Sequence, residues 1–164
     1  MVGDKPNWFE VAWCGIGDAD VITISVTPTH ETCKGINENK VLSISLTDEN
    51  ILQRVDYVGI VSGKKVDKSQ VFPWSKGELG APVPEEAPVT MECELIDAYA
   101  QHGMHLLICK VKNTYVNDEL LDEKQKVDYG KLKPILFEPR FQYLRTGDVV
   151  GPAIAPGKAY AAQL

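Results

Sequence analysis

Apolar side chains keep a strand rhythm three times in the first fifty residues. The stretches "FEVAWCGI" (9–16), "DVITISV" (20–26) and "KVLSISL" (40–46) alternate or run apolar over strand length, the last with Val41, Ile44 and Leu46 set among serines. Between the second and third, "TPTHETCKGINEN" (27–39) predicts a short helix capped by Thr29, with Cys33 and Ile36 facing inward and an end near Gly35 or Asn37. After "SLTDEN", residues Ile51, Leu52, Val55 and Val58 recur at helical spacing behind a cap at Thr47 or Asp48. A second helix therefore runs into "VDYVGIVSGKKVDKS" (55–69).

The rhythm then breaks. "FPWSKGELGAPVPEEAP" (72–88) holds four prolines and two glycines and predicts a long surface loop. Two long alternating stretches follow, "PVTMECELIDAYA" (88–100) and "HLLICKVKNTYV" (105–116), joined at "QHG" as a hairpin. The charged segment 117–133 predicts an excursion with one short helical turn, and "PILFEPRFQYLRTGDVVGP" (134–152) returns aromatic residues to the body. Many short strands and two short helices, without regular strand–helix alternation, point to a mainly β protein, an antiparallel barrel rather than a doubly wound sheet.

Composition narrows the class. A chain of 164 residues, 44% hydrophobic and 24% charged, reads as one domain (1–164) able to bury a core without staples. No apolar run approaches the ~20 residues of a membrane span, and "MVGDKPNWFE" lacks a signal peptide's basic and apolar regions, so a cytoplasmic location without membrane contact is expected. A net charge of −6 argues against nucleic acid as a partner. Cys14, Cys33, Cys93 and Cys109 are irregularly spaced with no C-x-x-C, which favours packed, reduced thiols.

Several chemistries fail on spacing. "GIVSGKK" is one residue short of a phosphate-binding P-loop and has Lys65 where Ser or Thr is required. His102 and His105 sit three apart at a hairpin and would not share a strand face, so with His30, Cys33 and Cys109 they make no convincing metal set. No G-x-S-x-G elbow surrounds Ser62. The expectation is accordingly no metal and no catalytic side chain.

A better signal is the cluster of Thr27, Thr29 and Thr32 where a strand enters a helix. A helix mouth offers free amides and partial positive charge to an anion, although threonines there also serve simply as caps. A second anion-friendly corner, "SGKKVDKS" (62–69), and the aromatic residues Trp13, Phe137 and Tyr143 suggest a phosphorylated planar cofactor.

With these residues in view, the chain resembles the flavin reductase-like, FMN-binding split-barrel family, and within it the flavoredoxin-type branch. The resemblance is carried by "KPNWFEVAWCGI", "ISVTPTHET", "ILQRVDYVGIVSGKKVDKS", "VKNTYVNDELLDE" and "LKPILFEPRFQYLRTGDVVG", in the family's order. Most specific are V-D-Y-x-G-x-x-S-G-x-x-V-D-K and the closing Tyr143, Gly147, Gly151 pattern. The resemblance implies an antiparallel split β-barrel with a few short helices. It also implies a homodimer whose bound FMN takes electrons from NAD(P)H or a redox protein and passes them to an acceptor.

Carried over by position, Asn7 and the Trp13 neighbourhood contact FMN, and Ser25, Thr27, Thr29 and Thr32 lie in the segment holding its phosphate and ribityl chain. Ser62, Gly63 and Lys68 complete the pocket, and Phe137 lies by the ring. Where relatives place a histidine, the register gives Met104, with His105 one residue on. Relatives also carry a strand and leader ahead of the G-D-K-P-N turn. Either the start is truncated or the barrel lacks its first strand, leaving an edge for a partner subunit or another segment to cover. The reading from a different class is a non-catalytic ligand-binding or assembly module of the same fold.

Overall fold

The computed structural model describes residues 1–163. Strands β1 (Cys14–Asp18) and β2 (Val21–Val26) lead into helix α1 (Glu31–Asn39), strand β3 (Val41–Leu46) and helix α2 (Leu52–Ile60). A small hairpin, β4 (Trp74–Lys76) and β5 (Pro82–Pro84), precedes the long pair β6 (Val89–Gln101) and β7 (Met104–Val116). After a 3₁₀ turn at Asp118–Leu120 come α3 (Tyr129–Leu132), the hairpin β8 (Ile135–Glu138) and β9 (Gln142–Arg145), and α4 (Ala155–Ala161).

Five strands form the main sheet in the order β1-β2-β7-β6-β3. Every pairing is antiparallel. Four reversals separate β1 from β3, so the two edge strands run in the same direction. The long hairpin turns at His102 and Gly103, both with positive φ, as the "QHG" signal predicted. Alternate residues of the strands face α1 and bury Ile24, Val26, Leu42, Cys93, Leu107 and Cys109 against its Cys33 and Ile36. A second cluster under α2 holds Trp8, Ile51, Val58, Phe72 and Ala87.

Several local expectations need correction. Residues 9–13 are not strand: β1 begins only at Cys14, and ahead of it just the Trp13 carbonyl bonds to β2, accepting from the Ser25 amide. The N-cap of α1 is His30, not Thr29, and it makes no side-chain cap bond. The helix runs on to Asn39 and closes with Lys40 in the left-handed region, its N–H bonded to the Ile36 carbonyl. Gly35 is buried inside it, because the Met1 carbonyl packs where a β-carbon would stand. The N-cap of α2 is Ile51, although Asp48 Oδ1 still accepts from the Asn50 and Ile51 amides. Among the described residues there are four short α-helices rather than two.

The proline-rich loop is also not all loop. Glu85 N–H donates to the Pro73 carbonyl at 3.0 Å, and by the alternation of an antiparallel pair Pro82 and Pro84 turn their nitrogens away from β4. This hairpin is clamped to the sheet by Glu92, which has no solvent exposure. Its carboxylate accepts from the Leu79 and Ala81 amides, from Asn113 Nδ2 (each 3.0 Å) and from the Tyr115 hydroxyl (3.1 Å). Desolvation pushes this carboxyl up, but the four donors outweigh it and hold the group below its usual range.

Candidate functional site

The mouth of α1 opens on a cleft of about 320 Å³. Because His30 supplies no cap bond, the amides of Glu31 and Thr32 meet no acceptor among the described residues. Asn7 Nδ2 donates to Thr32 Oγ1 at 2.6 Å and lines the cleft with Gly63, Lys64, Lys65 and Lys68. A β-carbon at residue 63 would collide with Asn7 Oδ1, so the Ser-Gly corner approaches this closely only because it is glycine. Asn7 thus links Thr32 to the cleft that Lys68 lines, where the four lysines Lys5, Lys64, Lys65 and Lys68 outnumber the Glu31 and Asp67 carboxylates. Burial lowers the His30 pKa first, and the charges of Lys68 and Lys64 lower it further.

The lysines divide by role. Lys5 pairs with Asp67 at 2.6 Å, while Lys64 and Lys65 are exposed. Lys68 is only 4% exposed, and its ammonium donates to the Val58 carbonyl at 2.7 Å and the Trp8 carbonyl at 3.0 Å. Burial lowers its pKa. Two of its three N–H bonds are therefore spent on main chain, one of them capping the last turn of α2, and it can offer an anion one further N–H.

Asn7 and Thr32 also line a larger, mainly apolar cavity of about 360 Å³, which reaches Phe137 and Tyr143 on β8–β9. Phe137 meets Phe141 and Tyr143 edge-to-face, both at 5.7 Å. The Tyr143 hydroxyl stands 2.7 Å from Asp56 Oδ1 and 2.9 Å from Glu10 Oε1. A phenol has one hydrogen, so both bonds form together only when a carboxyl carries a proton and donates back. Desolvation, and after it the Asp56 charge, raises the Glu10 pKa against the Tyr143 bond.

The remaining predicted residues scatter around this centre. Thr27 reaches Met104, its hydroxyl 3.5 Å from the sulfur, whereas His105 sits opposite Val26 on β7 with the parity of buried Leu107 and Cys109. Thr29 is exposed beside the helix mouth, and Ser62 is exposed with its hydroxyl accepting from the Lys64 amide. Ser25 lies in β2, its amide bonded to the Trp13 carbonyl, and the Trp13 ring is 56% exposed outside both cavities. Glu10, Asp56 and the buried Trp8 were missed. Their spacing gives no signal, since residues 10, 56 and 143 meet only through tertiary contact.

Among the described residues, no group of three His, Cys, Asp or Glu could hold a metal, and no helix is long and apolar enough to cross a membrane. All four cysteines are free. The cleft thus combines an uncapped helix mouth, two exposed lysines and a close glycine corner, beside an apolar space edged by aromatic rings. That donor set fits a phosphate ester carried on a planar ring.

An antiparallel, incompletely closed barrel with a lysine-lined cleft at its first helix is the class of protein these features define. Residues 11–140 match the model of the flavin reductase like domain, and the chain belongs to that family. The fold is similar to flavoredoxin from Methanosarcina acetivorans, with a TM-score of 0.92 at 29% identity, covering 98% of this chain and 88% of that one. It is also similar to flavoredoxin of Desulfovibrio vulgaris (Miyazaki F), with a TM-score of 0.86 at 28% identity over 93% and 85% of the two chains. An uncharacterised Aquifex aeolicus (strain VF5) protein is 26% identical over 138 residues, 82% of this chain but only 66% of that protein's length. The family ties the chain to flavin redox chemistry.

Proposed function

We propose that this chain is a single-domain, cytoplasmic, homodimeric FMN protein that takes electrons from NAD(P)H or a redox partner and delivers them to an acceptor. The observation that carries the reading is the convergence of the uncapped α1 mouth at Glu31, of Asn7, of Gly63 and of the lysine corner on one cleft, with Asn7 hydrogen-bonded to Thr32. One helix mouth and one lysine cluster suit a single terminal phosphate, which supports FMN over a dinucleotide.

In this reading the Glu31 and Thr32 amides and Lys64 hold the phosphate, and Asn7 fixes the Thr32 hydroxyl. Lys68 braces the floor by tying Trp8 to Val58. Phe137 excludes water from the ring's side of the pocket. Bound FMN would supply the hydride- and electron-accepting ring, so no side chain has to serve as acid or base. Exposed apolar residues on and beside the edge strand β1, Trp13 and Ile16 among them, are consistent with a dimer face.

The test is the visible spectrum of the purified protein, before and after incubation with FMN or FAD. A flavin envelope with stoichiometric FMN uptake is expected. A folded protein that stays colourless in excess FMN would refute it and favour the non-catalytic module. Stopped-flow mixing of the loaded protein with NADH or NADPH then separates a reductase from a carrier.

A further inference from the structure

The β8–β9 hairpin is a two-stranded sheet of its own, and no residue of either strand is buried. A lone hairpin is marginal in water, so its ties to the body decide whether it stays in place. At its open end the Ile135 amide donates to the Thr47 carbonyl at 2.8 Å, and Arg145 pairs with Glu49 in solvent. Both ties reach the same short stretch after β3, which makes that end a hinge. Toward the tip, where Phe141 is exposed, Tyr143 reaches Glu10 and Asp56. Those carboxyls belong to the segment ahead of β1 and to α2, so one phenol ties the hairpin to two other parts of the chain.

We propose that Tyr143, Glu10 and Asp56 form a proton-operated latch: while the two carboxyls share one proton the hairpin is held, and when that proton passes to water the hairpin swings free. Geometry carries the inference. The Tyr143 hydroxyl lies 2.9 Å from Glu10 Oε1 and 2.7 Å from Asp56 Oδ1, and its single hydrogen serves only one of them. With both carboxyls ionised, the other contact sets oxygen against oxygen without a proton, and two negative charges face each other across the phenol. Glu10 has no room to retreat on one side. A β-carbon at residue 59 would collide with its Oε2, so the carboxyl lies directly against Gly59 of α2.

Among the described residues no cation stands ready to replace the proton. The groups that move the Glu10 pKa are Tyr143 and Asp56, and those that move the Tyr143 pKa are Asp56 and Glu10. On the packed elements, Arg54 of α2 pairs with Glu86, Arg140 of the hairpin with Glu138, and Arg145 with Glu49. The Met1 amine and the Cys14 thiol line the same cavity and act on neither group. Desolvation raises the Glu10 pKa, so the latch holds in acid and lets go as pH climbs past the ordinary carboxylate range. Release matters because Ile135, Leu136 and Phe137 wall the larger apolar cavity. A freed hairpin opens that wall, so one proton governs entry to the cavity, with or without a flavin bound.

Hydrogen exchange of the β8–β9 amides, corrected for the intrinsic rate and divided by that of the β6–β7 amides, reads the opening of the hairpin apart from global unfolding. In wild type this ratio should rise at least about 10-fold as pH is raised from about 5 to about 9, through loss of one charge-assisted hydrogen bond. Glu10→Gln and Asp56→Asn each place a permanent N–H donor beside the phenol, and in both the ratio should keep its low, acid value throughout. Tyr143→Phe should show the high ratio at every pH. The proposal is overturned if the wild-type ratio is flat, if either amide variant keeps the wild-type slope, or if Tyr143→Phe is as protected as wild type in acid. Should Tyr143→Phe fail to fold, the wild-type slope and the two amide variants decide alone.

Discussion

Lys68→Met separates bracing from binding at the lysine corner. The substitution keeps the length of the side chain and removes the ammonium, leaving the Val58 and Trp8 carbonyls without a donor in a 4%-exposed site. A hydrogen bond from a charged donor contributes about 1.5–3 kcal/mol, and two give about 3–6 kcal/mol. Relief from burying a charge offsets part of this. A net loss of about 3 kcal/mol is expected, which in a domain this size lowers the melting point by about 6–12 °C. Urea and thermal unfolding followed by circular dichroism measure it.

The pH dependence supplies an independent arm. Burial lowers the folded-state pKa of Lys68 beneath its ordinary 10.5, so the unfolded chain binds that proton more tightly. Stability from this group therefore rises with pH between the depressed value and 10.5. The gap between wild type and Lys68→Met should widen across that alkaline window. A variant that melts within about 2 °C of wild type and shows no such widening would refute the bracing role. If bracing is the main role, FMN affinity measured well below the melting point should fall by less than about tenfold.

Glu92→Ala leaves four donors unpaired and should cost about 3–5 kcal/mol in urea unfolding, freeing the β4–β5 hairpin to proteolysis. Because the Glu92 pKa is depressed, its contribution is present above the unfolded carboxyl's pKa and lost as pH falls through the folded value, so wild type and Glu92→Ala should converge in acid. Glu10 has the opposite sign: its pKa is raised, so its stabilising share is present in acid and lost as pH rises through that value. Glu10→Gln should accordingly be at least as stable as wild type at pH 7 and lose that advantage on acidification. Gly63→Ala forces Asn7 off Thr32, and loss of that hydrogen bond, about 0.5–1.5 kcal/mol, should lower the melting point by about 1–6 °C and weaken FMN binding in fluorescence titration.

What the sequence determined by itself was whatever depends on near neighbours along the chain. Period-two alternation announced β2, β3 and the long β6–β7 hairpin, and helical spacing announced α1 and α2, because side-chain direction repeats with the backbone. The ordered motifs identified the family, and "SGKKVDKS" marked the cleft corner. Prolines, however, misled the reading of 72–88, since a missing N–H disqualifies a strand only on the bonded side.

Tertiary structure alone decided which lysine is spent. Lys68 lies in the same charged run as Lys64 and Lys65, yet only the fold carries the Val58 and Trp8 carbonyls to it. It alone joined Glu10, Asp56 and Tyr143 around one phenol, and it alone left residues 9–12 without a strand partner. Strand propensity is a property of a segment, but a strand exists only when another backbone lies about 4.8 Å away to receive its hydrogen bonds.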